Sequence, residues 1–284
     1  MEDDRRPMTA AKVRDLEASV RFYGEVMGFA LLERDGQADV AIVSFNGYPI
    51  LLAGPRAGDL SPHLNEVHGV VQPGGTLFAY AADIDTEEAR LVSRGAPRLT
   101  RIEKPWGDTV LTVVDPDGYT ISFWTTVERT PEETLALYEA GVPSLEVALA
   151  GLGEGDHNLR PGPGEWSIRQ IVHHLADAEA TALGQPKFAL AEPGRRYTGS
   201  PYDADAWARG LAYDDRPIAQ SVALFSAIRG HMAQLLRTLP DPWERATLDA
   251  KGTAHPAGVA IGKFASHAFE HIEQIQAIRE QHGR

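Results

Sequence analysis

At Thr130-Pro131-Glu132-Glu133 the chain changes its hydrophobic period, and that change constrains the fold more than any other feature. Before it, short β-rich runs alternate with single amphipathic helices; after it, apolar residues recur every third or fourth position over long stretches. The tetrapeptide is itself a helix entry: a capping threonine, proline at the first helical position and an acid three residues after the cap. Side chains repeat every 2 residues in a strand and every 3.6 in a helix, so the two patterns need different cores. A chain of 284 residues can supply both. We expect an α+β protein with two domains, residues 1–128 and 129–284.

The first domain repeats one pattern twice. A strand near Thr9–Arg14 leads into a helix over Leu16–Met27, then strands near Ala30–Arg34, Val40–Phe45 and Pro49–Ala53, with turns at Asp35-Gly36 and Asn46-Gly47. The second copy starts at Leu77–Ala81 and continues through a helix over Thr86–Arg94, stopped by Gly95. Strands near Arg98–Glu103, Thr109–Val114 and Thr120–Thr125 follow, with Asp115-Pro-Asp-Gly118 as the turn. The period is that of a duplicated βαβββ unit.

VRDLEASVRFYGEVMGF and PWGDTVLTVVDPDGYTISFW, within residues 8–127, resemble the glyoxalase/bleomycin-resistance group, the vicinal oxygen chelate proteins. The resemblance implies paired βαβββ modules whose curved sheet forms a cupped ligand site. It also implies metal ligands at the first strand, near Thr76 and in YTISFW. This chain has Met8 or Thr9, no clear middle ligand, and Ser122 in those places. Thioether and hydroxyl groups replace imidazole and carboxylate poorly around a divalent ion. We therefore expect no metal in this domain. His63 and His68 read as solvated loop histidines, and Trp106 as an aromatic packed at a strand end or stacked on a ligand.

The second domain reads as an all-α four-helix bundle. Its helices run from Thr130 to about Gly151, Ser167–Leu190, about Ile218–Thr238 and about Ile261–Gln281, with a Gly/Pro-rich loop over Gly151–Gly164. His267 and His271 stand at i and i+4, one turn apart on one face. In EWSIRQIVHHLADAE, adjacent histidines point about 100° apart, so one of His173 and His174 joins a core-facing site. The stripe Ile171, His174, Leu175 favours His174, with His173 nearer the face edge as the alternative. Three neutral imidazoles facing a bundle interior can hold a divalent cation and leave a position open. HAFEH also fits the H-x-x-E-H zinc-protease pattern, but Glu270 reads as an exposed or outer carboxylate. His231, His255 and His282 read as surface or loop residues.

WSIRQIVHHLADAE, PYDADAW and HAFEHIEQI, in that order over residues 131–281, resemble the DinB superfamily and within it the YfiT type, which includes the bacillithiol transferases. The resemblance implies a four-helix bundle with a divalent metal, zinc or nickel, on three histidines: His174, eight residues after Trp166, with His267 and His271. It also implies that Tyr202, Asp203 and Trp207 border a substrate site. An alternative for that segment is a loop anchored by two aromatics, with Asp203 or Asp205 capping a short helix.

The function expected is metal-dependent transfer of a low-molecular-weight thiol to an electrophilic small molecule, or hydrolysis of it, with the first domain binding ligand or supporting a homodimer. The absence of cysteine removes thiolate ligands and a cysteine nucleophile, so any reacting thiol is a cosubstrate. A formal net charge of −13 argues against nucleic acid and anionic membranes as partners. With no apolar leader or spanning stretch, the expected location is cytoplasmic. The alternative is a non-catalytic drug- or toxin-binding resistance protein acting through the first domain; a glyoxalase or dioxygenase there lacks its ligands.

Overall fold

The computed structural model describes residues 7, 9–65, 69–125, 127–200 and 202–284. Met8 and His68 lie outside the described residues. The chain divides into two compact units, Met1–Val127 and Glu128–Arg284.

The first unit is a duplicated βαβββ fold. Its first module comprises β1 (Thr9–Lys12), α1 (Leu16–Arg21), β2 (Ala30–Asp35), β3 (Val40–Phe45) and β4 (Tyr48–Ala53); β5 (Gly69–Val71) follows. Its second comprises β6 (Thr76–Tyr80), α2 (Ile84–Ser93), β7 (Thr100–Glu103), β8 (Thr109–Val114) and β9 (Thr120–Trp124). The strand orders β2-β3-β4-β1-β5 and β6-β9-β8-β7 show one topology used twice. In each module the first strand pairs in parallel with the last, and the rest is an antiparallel meander. Asp15 and Asp83 cap the two helices with their carboxylates. The entry helix differs from expectation: it is α-helical to Arg21 and then widens into a π-helical turn over Phe22–Val26.

Both modules contribute to one core, in which Tyr23, Met27 and Leu52 of the first pack with Leu77, Leu111 and Phe123 of the second. The two sheets differ in their other faces. VAIVS in β3 is buried throughout, because Leu60 and Leu64 help to cover the second face of its sheet. In β6 and β8 burial largely alternates, with Phe78 well exposed, so the second sheet keeps one open face. Strand β5 and the covering segment have no pattern of their own in the sequence; tertiary pairing with β1 creates the strand.

The second unit is built on four long helices. They are α3 (Pro131–Leu149), α4 (Ile168–Ala182), α7 (Ala219–Thr238) and α8 (Ala257–Gln281). Between α4 and α7 lie α5 (Gly184–Ala191) and α6 (Ala204–Gly210), and between α7 and α8 the short hairpin of β10 (Ala246–Leu248) and β11 (Ala254–Pro256). Reciprocal capping boxes start two of the long helices: Thr130 with Glu133 on α3, and Ser167 with Gln170 on α4. The expected helix over Ser167–Leu190 is in fact two, divided at Leu183-Gly184, and α8 begins about one turn before Ile261. Pro256 stands before that first turn and lets the hairpin run directly into α8.

Two apolar clusters fill the bundle. One holds Leu145, Ile171, Leu175, Phe225 and Ile272; the other holds Tyr138, Leu190, Met232, Ile261 and Ala265. Along α8 the change from one cluster to the other falls between Ala265 and Ala268, and His267 stands there.

Candidate metal centre

The stripe Ile261, Ala265, Ala268, Ile272, Ile275, Ile278 turns one face of α8 into the bundle. His267 and His271 each precede a member of that stripe by one residue, so both rings flank the core side by side. From α4, His174 reaches the same point. Its Nε2 is 3.3 Å from Nε2 of His267, and Nε2 of His271 is 3.1 Å from that same atom. One nitrogen from each of the three residues lies within 4.8 Å of the others. Among the described residues no other group of three histidine, aspartate or glutamate side chains converges in this way.

The two spacings about His267, 3.3 and 3.1 Å, suit a cation. Zinc–imidazole bonds of about 2.0–2.1 Å at tetrahedral angles place their nitrogens about 3.3 Å apart. The proton positions also fit. Nδ1 of His271 donates to Oε1 of Gln274 at 2.9 Å, which leaves its Nε2 lone pair facing the other two rings. Nδ1 of His174 is buried without a hydrogen-bond partner.

Burial also sets the charge state. His174 is held down at about 3, first by desolvation and then by His271 beside it. Desolvation drives His267 well below the ordinary imidazole range, with His271, His174 and Arg229 adding to it. His271 is lowered by burial too, against the upward pull of Gln274. All three are therefore neutral near pH 7, the form that ligates metal. A pH dependence follows. Unfolded histidines titrate near 6.5, above their folded counterparts, so the unfolded chain holds more protons as pH falls below that value. In chelator, His174 alone accounts for a loss of roughly 1.5–2 kcal/mol between pH 6.5 and 5, and the other two imidazoles act in the same direction. Urea midpoints at pH 7.5 and 5.0 measure this; a midpoint that does not fall contradicts it.

His173 belongs to the core. It is 1% exposed, not at a face edge as expected. Its Nε2 donates to the carbonyl of Arg216 at 3.1 Å, and its Nδ1 accepts from Ser221 Oγ at 2.7 Å. With both nitrogens engaged toward α7, it is a satisfied buried histidine.

Trp166 is a wall of the cluster. Its ring stands edge-on to His174 with centroids 4.8 Å apart and lies nearly parallel to His271 at 6.5 Å. The indole N–H donates to Asp205 Oδ1 at 2.7 Å, which ties the wall to α6. Tyr202 and Trp207 pair ring to ring at 4.2 Å on the same segment. Beneath α6, Tyr213 donates to Asp177 Oδ2 at 2.5 Å, one turn beyond His174 on α4.

Asp203 serves the helix beside this wall. Its Oδ1 accepts from the backbone N–H groups of Asp205 and Ala206 and caps α6. Loss of such a cap costs about 1 kcal/mol. Asp203→Ala is therefore expected to lower stability by that amount and leave metal affinity unchanged, as read by urea denaturation and chelator competition.

The remaining candidates fall outside this cluster. Glu270, His231, His255 and His282 are exposed; His255 faces Asp249, and His282 meets the carbonyl of Arg160. In the first unit, Ser122 lies on β9 opposite Phe78 of β6. His63 ends a short 3-10 turn. Trp106 donates to Asp108 within its own β7–β8 turn, under Lys104.

The sequence reading missed a fully buried ion pair beside the histidines. Arg229 on α7 is 0% exposed. Its Nε donates to Glu179 Oε1 at 2.7 Å, Nη1 to the Tyr138 carbonyl at 2.6 Å, and Nη2 to the Phe264 carbonyl at 2.6 Å. The Tyr138 hydroxyl donates to the other Glu179 oxygen at 3.0 Å. Burial pushes the Glu179 carboxyl up although Arg229 and Tyr138 both pull it down. A signal was available. Arg229 occupies a core position in the stripe Phe225, Ile228, Met232, Leu236, and Glu179 follows Leu175 and Ala178 on α4. A charge in core register points to a partner in the core.

The DinB superfamily family model matches residues 123–275, more than half of the chain, and a glyoxalase-like domain model matches residues 8–124. A Geobacillus kaustophilus protein named "putative metal-dependent hydrolase" is 30% identical over 146 residues, covering 50% of this chain and 81% of that protein. Bacillus subtilis YfiT, which bears the same description, is 31% identical over 129 residues, covering 42% of this chain and 67% of its own length. The solved YfiT structure, titled a "probable metal-dependent hydrolase with an unusual four-helix bundle topology", aligns with TM-score 0.49 at 25% identity, over 55% of this chain and 91% of that one. The chain belongs to the DinB superfamily and carries a glyoxalase-like domain ahead of its bundle.

Proposed function

We propose that the bundle is a metal-dependent hydrolase or thiol transferase acting on an electrophilic small molecule, with His174, His267 and His271 as the ligands of one divalent cation. The observation that carries this reading is the convergence of three Nε2 atoms at 3.1 and 3.3 Å. The description of the relatives as metal-dependent hydrolases supports it, and favours water over a thiol as the attacking group. Nitrogen donors of this kind suit zinc and nickel. A cation held there lowers the pKa of a coordinated water or thiol, and so makes a nucleophile available near neutral pH.

The chain's own residues do the rest. Gln274 fixes the tautomer of His271. Trp166 shields one side of the cluster and keeps its orientation through Asp205. The Tyr202–Trp207 pair offers an aromatic surface on which a substrate can pack. No protein thiol competes with the external nucleophile, since the chain has no cysteine. Among the described residues no helix is long and apolar enough to cross a membrane.

The test is metal analysis of protein purified without chelator, followed by turnover of activated esters and of a haloarene electrophile with and without added thiol. Bound metal at about one per chain, with turnover lost on chelation and regained with zinc or nickel, is expected. Metal-free protein that binds the electrophile without consuming it would replace this reading with the binding-protein alternative.

A further inference from the structure

The Arg229 guanidinium joins three helices at the level where the histidines meet. It grips the carbonyl of Phe264, one turn before His267 on α8; the carbonyl of Tyr138 on α3; and the carboxylate of Glu179 on α4, the helix that carries His174. The aromatic rings of Tyr138 and Phe225 sandwich it at 4.3 and 4.4 Å. Gly141 on α3 is part of the same fit. A Cβ there would stand 2.2 Å from Nη1, so only glycine leaves room for the cation.

We propose that Arg229 is a positioning residue for the three-histidine centre, setting the height and rotation of α8 against α4. This rests on the metal-centre reading above. The reason is geometric. His174 comes from one helix and the other two ligands from another, so their spacing is a tertiary distance. Metal–nitrogen bonds tolerate deviations of about 0.2 Å. Apolar stripes alone let two helices slide or turn by more than that, because hydrophobic contact is non-directional. A planar guanidinium with several fixed donors is directional, and it binds both helices at once. Without Arg229, α4 and α8 still pack, and the Nε2 triangle opens.

The experiment uses full-length protein, with Zn²⁺ affinity read by competition against a chelating dye and folding read by urea denaturation in EDTA. Tyr138→Phe/Glu179→Leu/Arg229→Met removes the polar set as a unit, a replacement that buried ion clusters often tolerate. Gly141→Ala keeps every polar group but displaces the guanidinium. Each is expected to fold and to bind zinc about 10- to 100-fold more weakly, the usual effect of losing an outer support of a metal site. Adding Gly141→Ala to the triple variant should weaken zinc no further, since no guanidinium remains to be moved. A folded triple variant with wild-type zinc affinity overturns the proposal, as does an unchanged affinity in Gly141→Ala. Failure of the metal centre itself is read separately, in a His267 variant that keeps its zinc.

Discussion

Replacement of His267 by alanine is expected to leave the purified protein essentially free of metal and to erase any metal-induced rise in its melting temperature. His267 is the middle member of the trio: its Nε2 lies 3.3 Å from that of His174 and 3.1 Å from that of His271, so its loss opens the cluster at its centre. The size of the effect follows from what a ligand contributes. Zinc sites with four protein ligands bind with about 10–16 kcal/mol, or roughly 2.5–4 kcal/mol per ligand, which corresponds to about 10²- to 10³-fold in affinity. Elemental analysis and dye competition measure it. Metal-free stability should fall far less than affinity, because the lost ring was a desolvated imidazole with weak partners. Retention of stoichiometric metal would remove the proposed function along with the site.

The second large effect concerns folding. Arg229→Met is expected to destabilise the metal-free protein by about 3–5 kcal/mol, as a drop in urea midpoint with little change in slope. The substitution leaves Glu179 buried with only the Tyr138 hydroxyl, and burial already pushes that carboxyl above its ordinary range with Arg229 present. The uncompensated carboxylate accounts for most of the cost. Adding Glu179→Leu and Tyr138→Phe to Arg229→Met should therefore recover a good part of the loss. If the single variant were as stable as the parent, the pair would be an incidental contact, and the positioning role of Arg229 would lose its energetic basis.

Much of the fold was legible before any coordinates. Capping residues act on their own backbone within three residues, so Thr130 and Glu133 announce α3 from sequence alone. Val40–Phe45 and Thr109–Val114 could be placed to the residue, because a short β-branched apolar run bounded by turn residues is a local signal too. Elements whose cause is distant were not legible. Strand β5 exists because β1 offers a free edge. The break after Ala182 is a different case: Gly184 and Pro186 mark it locally, since glycine weakens a helix and proline cannot continue one, and the expectation of one helix to Leu190 passed over both.

The same division holds at the site. Spacing alone made His267 and His271 neighbours, since i and i+4 share a face in any helix. Helical phase favoured His174 over His173. What the linear chain left open was the meeting of two helices at one height, which depends on how α4 and α8 pack. It also left open the partners that engage His173, cap α6 with Asp203 and bind Trp166 to Asp205. Short-range stereochemistry is written in consecutive residues. A triangle of imidazoles, and the buried arginine beside it, exists only once separate segments pack together and exclude water.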